Sequence, residues 1–192
     1  MRRLNVAMFV SLLFLSACSF SFDVYDAREE QDEEMNEASA SSNEKEPIQL
    51  QLTKSDEEAG VTTENNELYQ QLDMYVSDNP DAGADNDFSV ESMTMIVDSE
   101  GNQQMVFLGF NRIGEPIKDV SFSFSLGNTD GDMVWDNYLV VLDEETIGVI
   151  QDNTAIPIGL PITSQDQVDL MNTISQENVD IRFEDFTYES VS

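Results

Sequence analysis

Histidine is absent from this chain, and cysteine and tryptophan occur once each, at Cys18 and Trp135. Without histidine there is no Ser-His-Asp or Cys-His nucleophilic site, and the usual zinc ligand sets are missing as well. Positive charge is also scarce: 8 lysines and arginines stand against 39 aspartates and glutamates, for a formal charge of -31. Beyond residue 88 the only basic residues are Arg112, Lys118 and Arg182. Phosphoryl transfer, which needs cationic clamps or a glycine-rich phosphate loop, therefore has no candidate residues. Binding of nucleic acid by phosphate neutralisation is excluded on the same ground. Cationic ligands and divalent metals are the electrostatically sensible partners.

Long apolar runs are missing too. Val6 to Leu15, interrupted only by Ser11, falls short of the ~20 residues that cross a hydrocarbon core, and no second run follows. After the basic start Met1-Arg2-Arg3, it reads as the apolar region of an export signal. The small residues Ser16 and Ala17, between Leu15 and Cys18, resemble the lipobox of bacterial lipoproteins. That resemblance implies diacylglyceryl transfer to the Cys18 sulfur, removal of residues 1–17, and a chain held by lipid on the extracytoplasmic face of the cell membrane. Two acyl chains hold stably where one binds only marginally. An ordinary signal peptide cut nearby would instead leave one unpaired thiol in an oxidising compartment.

Residues 18–46 are dominated by Glu, Asp, Ser, Asn and Ala, with Glu29-Glu30-Gln31-Asp32-Glu33-Glu34 at their centre. Such a segment cannot bury enough apolar surface to offset chain entropy and reads as a disordered acidic tether, with a reach of about 30 Å. Residues 47–87 read as a partly ordered linker. Ile48, Leu50 and Leu52 alternate with glutamines as a short strand would, and Leu68, Leu72, Tyr75 and Val76 share one face of a helix expected over about 64–76. Asp78, Asp81, Asp85 and Asp87 then crowd a turn-rich stretch around Pro80 and Gly83. Close carboxylates of this kind suit a hard cation such as Ca²⁺, although the spacing does not follow the EF-hand loop; a solvated linker is the other reading.

From Phe88 to Ser192 the texture becomes short β-type runs separated by Gly, Asp and Asn. Met93–Val97 and Gln103–Phe110 read as a hairpin. Val120, Phe122, Phe124 and Leu126 alternate strictly with serines, giving a strand with one buried face. Asn128, Asp130 and Asp132 have the one-apart spacing of calcium-loop oxygens but also the chemistry of a simple Asp-Gly turn. The next strand, Met133–Leu142, sets Trp135, Leu139 and Val141 on one phase, with Tyr138 opposite as a candidate binding surface. Ile156, Ile158, Leu160 and Ile162 alternate with Pro157 and Pro161, which places that strand at a sheet edge. Ser164 and Gln167 form an S-x-x-Q capping box before a short helix, and the phase change from Phe183 to Phe186 predicts a β-bulge near Glu184 and Asp185.

About seven strands in about 105 residues fit a mostly β, immunoglobulin-like sandwich, and that length can bury a core without disulfides. Phe110-Asn111-Arg112-Ile113-Gly114, Pro116-Ile117, Asp130-Gly131-Asp132, Ile147-Gly148 and Ala155-Ile156-Pro157 resemble the SLAP-type domain of Gram-positive surface and S-layer assembly proteins, and related small β-domains of Gram-positive lipoproteins. The resemblance implies a non-catalytic envelope module with no active-site residues. The expected function is thus a membrane-anchored lipoprotein whose sandwich binds an envelope component or protein. Ca²⁺-dependent adhesion is one alternative. A carboxylate-based glycan hydrolase, built on two acids flanking a sugar cleft, is the other.

Overall fold

The computed structural model describes residues 23–24, 46–97 and 101–191. The export signal, Leu15, Ser16, Ala17 and Cys18 lie outside the described residues, as do most of the tether and residues 98–100 of the first hairpin turn. The described residues form eight strands: β1 (Asp23–Val24), β2 (Gln49–Leu50), β3 (Phe88–Val97), β4 (Gln103–Asn111), β5 (Ile117–Asn128), β6 (Met133–Leu142), β7 (Thr154–Ile162) and β8 (Val179–Ser190). Three helices accompany them: α1 (Lys54–Glu58), α2 (Glu67–Asp78) and α3 (Gln165–Met171).

The strands form two sheets, in the orders β1-β3-β4-β7-β2 and β6-β5-β8. Setting β3, β4 and β7 against β6, β5 and β8 reproduces the A, B, E and C′, C, F strands of an immunoglobulin-like sandwich. The expected mostly β, two-sheet fold is what the chain adopts. β2 docks in parallel at Thr154–Ala155 of β7, and β1, inside the span read as tether, pairs antiparallel with β3.

Alternation explains the interior. Phe122 and Phe124 of β5 point between the sheets, where they meet Phe88, Phe107, Trp135 and Phe183. The Phe107 and Phe124 rings stand edge-on, centroids 5.2 Å apart, a geometry the ring quadrupole favours. β4 reads as an unbroken apolar run because it is covered on both faces: Phe107 enters the sandwich, while Leu108 and Phe110 pack outward with Leu72 and Val76 of α2, Ile48 and Ala155. Gly109 makes room on the inner face: a Cβ there would sit 2.7 Å from Ile158 Cδ1 and 2.8 Å from Phe88 Cζ, and those side chains would have to shift.

Bulges adjust the phase of the strands, and three of them hold an Asp or Asn at positive φ: Asp119 in β5, Asn137 in β6 and Asp185 in β8. These residue types tolerate the left-handed region where β-branched residues do not. The bulge expected near Glu184 and Asp185 is there. The one at Asn137 overturns the expected face of β6: Trp135 is buried as anticipated, but beyond the bulge Val140 and Leu142 are buried and Leu139 and Val141 turn outward.

Helix α2 begins later than expected because Asn66 caps it: its Oδ1 accepts the N–H groups of Leu68 (2.9 Å) and Tyr69 (3.2 Å). Helix α1 was not foreseen. Thr53 caps it, accepting the Asp56 N–H at 3.2 Å and donating to Asp56 Oδ2 at 2.8 Å. The buried Tyr69 joins the two helices, its hydroxyl donating to Asp56 Oδ2 at 2.6 Å and accepting from Thr53 N at 3.2 Å. Burial, reinforced by the Asp56 carboxylate, pushes the Tyr69 phenol up to about 12.

A raised acid pKa favours the proton in the folded state, so this contribution is whole below pH 10 and is lost as pH climbs towards about 12. Tyr69→Phe should cost about 1–3 kcal/mol near neutrality, because Thr53 N–H is left without its acceptor. The same variant should flatten the alkaline fall in stability. Urea midpoints across that pH range, alongside tyrosinate absorbance, check both expectations.

Candidate binding surface

The sandwich opens between β6 and β7. β6 is the outer strand of its sheet, and β7 is covered by β2 only at Thr154–Ala155. Pro157 and Pro161 lie along the uncovered part of β7, where the missing N–H groups cost no ladder bonds. At one end the opening is pinned shut. Trp135 Nε1 donates to Pro161 O at 3.1 Å, and Gln167 Nε2 of α3 donates to Val134 O at 2.8 Å.

Past the Asn137 bulge the edges part around a groove of about 370 Å³, lined by Tyr138, Leu139, Val141, Ile147, Ile158 and Leu160 among others. Leu139 and Val141 are 63% and 56% exposed, unusual for large aliphatic side chains on a sheet. Tyr138 is half-buried, packed against the main core, and is the one titratable group of the lining among the described residues. The groove offers unpaired strand edge and apolar contact.

The surrounding field is negative. Of the three basic residues beyond residue 88, Lys118 holds Glu144 at 2.7 Å, a contact that raises its pKa, and Arg182 lies 3.7 Å from Asp136 and 3.8 Å from Asp180. Arg112 is turned into the protein. Its guanidinium donates to the carbonyls of Ala82 (2.7 Å), Pro80 (2.8 Å) and Glu46 (2.9 Å) and to Asn153 Oδ1 (3.1 Å). Desolvation lowers its pKa, while Asp85, Asp81 and Asp152 pull the other way.

Two of the carboxylates expected near a cation, Asp81 and Asp85, are thus set near this arginine. Asp78 ends α2, Asp81 and Asp85 lie on the Arg112 loop, and Asp87 caps β3 by accepting the Phe88 N–H at 2.8 Å. In the other group, Asn128 Oδ1 accepts the N–H groups of Asp130 (3.1 Å) and Asp132 (2.9 Å), and its Nδ2 donates to Asp132 Oδ2 at 3.1 Å. Those contacts are turn chemistry. Among the described residues no three acidic side chains are placed to share a metal ion.

Sequence reasoning missed the groove because the bulge that creates it is a single residue, and missed Arg112 as an organiser. A lone arginine directly after an apolar strand, in so acidic a chain, was the available signal. The chain matches no protein-family model, no curated protein and no solved structure. Among the described residues no helix is long and apolar enough to cross a membrane.

Proposed function

We propose that this chain is a lipid-anchored, extracytoplasmic binding module that takes an extended, apolar-alternating segment of an envelope protein into the β6–β7 groove, without catalysis. The observation that carries the reading is the pair of uncovered strand edges flanking exposed Leu139 and Val141. An incoming strand would gain main-chain hydrogen bonds from the free edge of β6, and its alternate side chains would enter the slot beside Tyr138, Ile158 and Leu160. The acidic surface favours a partner with basic residues flanking that segment. Support for the anchor comes from Cys18 and the residues before it.

The test immobilises the full chain and passes fractionated envelope components over it at several ionic strengths. A protein retained by the native chain should lose about tenfold or more of its affinity for a Leu139→Lys, Val141→Lys chain, since edge lysines block strand addition. It should also be displaced by a synthetic lysine-flanked peptide of alternating valine and threonine. Equal retention by both chains, or no retention at any ionic strength, overturns the reading.

A further inference from the structure

We infer, on the strand addition proposed above, that the β7 wall of the groove is a subsite for one inward-pointing arginine of the bound segment, held by the main-chain carbonyls of Pro157 and Gly159. Gln49 N donates to Asn153 O at 3.0 Å and Gln51 N to Ala155 O at 2.8 Å, so the odd-numbered residues of this strand face away from β4. Trp135 Nε1, which donates to Pro161 O at 3.1 Å, marks the same phase near the far end of the strand. A strand presents its backbone groups to alternate sides, and Pro157 and Gly159, between those points, therefore turn theirs to the open edge.

That edge is made almost entirely of acceptors. Proline has no N–H, so the uncovered stretch from Pro157 to Pro161 offers three outward carbonyls and the single N–H of Gly159. A strand could not build a ladder on it, which directs an incoming segment to the edge of β6 instead. Donor-tipped side chains can use it, and the protein already contains one such contact. Trp135 reaches across from β6 and takes Pro161 O. Pro157 and Gly159 repeat that carbonyl at two-residue steps of about 7 Å. Both line the groove, and among the described residues no side chain or loop amide donates to either carbonyl.

Arginine is the donor that fits. Facing sheets lie about 10 Å apart, so a side chain projecting inward from a strand on β6 needs length to reach β7. Its methylenes would lie along Ile147, Ile158 and Leu160, while the planar head, less strongly hydrated than an ammonium, shares its N–H groups among carbonyls. Arg112 does this within the same protein, serving the carbonyls of Pro80, Ala82 and Glu46. The charges agree: Asp136 and Asp143-Glu144-Glu145 bracket the groove stretch of β6, and among the described residues no basic side chain lines the groove.

Peptide titrations against the full chain test the subsite. The probes are the lysine-flanked strand of alternating valine and threonine and two isomers of it, with one central arginine in place of a valine in the first and of a threonine in the second. Because side chains alternate across a strand, the first isomer sends its arginine into the slot and the second sends it outside, at equal net charge. The first should bind about tenfold more tightly than the second, the gain expected of hydrogen bonds from a charged donor. It should also move the carbonyl carbon-13 resonances of Pro157 and Gly159. A purely apolar slot would rank the isomers the other way. Equal or reversed affinities, or resonances that do not move, overturn the subsite and leave strand addition standing. If none of the three peptides binds, strand addition falls and the arginine subsite falls with it.

Discussion

Replacing Arg112 with methionine is expected to lower the unfolding free energy by about 3–5 kcal/mol. In a chain of this size that is a fall in Tm of roughly 10 °C or more. Arg112 is only 5% exposed, and its guanidinium serves four acceptors, three of them backbone carbonyls. Those carbonyls belong to the segment before β2 and to the loop between α2 and β3, and the arginine's own N–H donates to Asp87 O at 3.0 Å. One side chain therefore ties the helical layer to the end of β4.

Buried charges can often be exchanged for apolar groups at little cost, but only when their partners are exchanged too. Here three acceptors are main chain and remain whatever the side chain becomes. Methionine keeps most of the stem volume, so the loss isolates the hydrogen bonds. Lysine keeps the charge without the planar fork and should fall between the two. Thermal and urea unfolding of R112M and R112K measure this, and a loss below about 1 kcal/mol for R112M would show that water takes over the carbonyls.

Much of the sandwich could be read from period-2 patterns, because a strand with one face on the core must alternate. β5 and β7 follow that rule, and the prolines of β7 lie on the uncovered edge, as a missing donor demands. What alternation cannot supply is the position of an inserted residue. Asp185 was legible because apolar residues on both sides of it change phase. Asn137 was not, because Leu139 and Val141 are as apolar as Val140 and Leu142, and either pair could have faced the core. The groove depends on that choice.

Polar organisers were also illegible. Asn111 is fully buried, donating to the carbonyls of Glu115 (3.0 Å), Gln151 (3.1 Å) and Ile150 (3.2 Å), and nothing in its neighbours announces partners about 40 positions away. Tyr69 fell off the expected helix face because its ring is buried for the sake of a hydroxyl contact with the cap of another helix.

Phe110→Ala is expected to cost about 3–5 kcal/mol and, unlike a change confined to one sheet, to loosen α2 together with β4. The Phe110 side chain is fully buried on the outer face of its sheet, in the cluster with Leu72, Val76, Ile48 and Leu108. It is also pressed by the α2–β3 loop: a Cβ on Gly83, whose φ is +84°, would lie 2.7 Å from the Phe110 Cβ. Truncation leaves a space that the helix can enter only by moving against that loop, which Arg112 holds in place. Incomplete collapse is what puts the cost in the upper range for such substitutions.

Hydrogen exchange gives the sharper test. If residues 46–87 are part of one cooperative unit with the sandwich, the amides of α2 and of β4 should lose protection in parallel in F110A. If α2 alone loses it, the helical layer is an adjunct to a self-sufficient sandwich. The distinction bears on binding. A helix fixed on that face removes it from the surface a partner can reach, leaving the β6–β7 opening and the outer face of the smaller sheet. A helix that opens on its own would expose Leu108 and Phe110 as a second apolar surface, and a protein ligand would no longer depend on Leu139 and Val141.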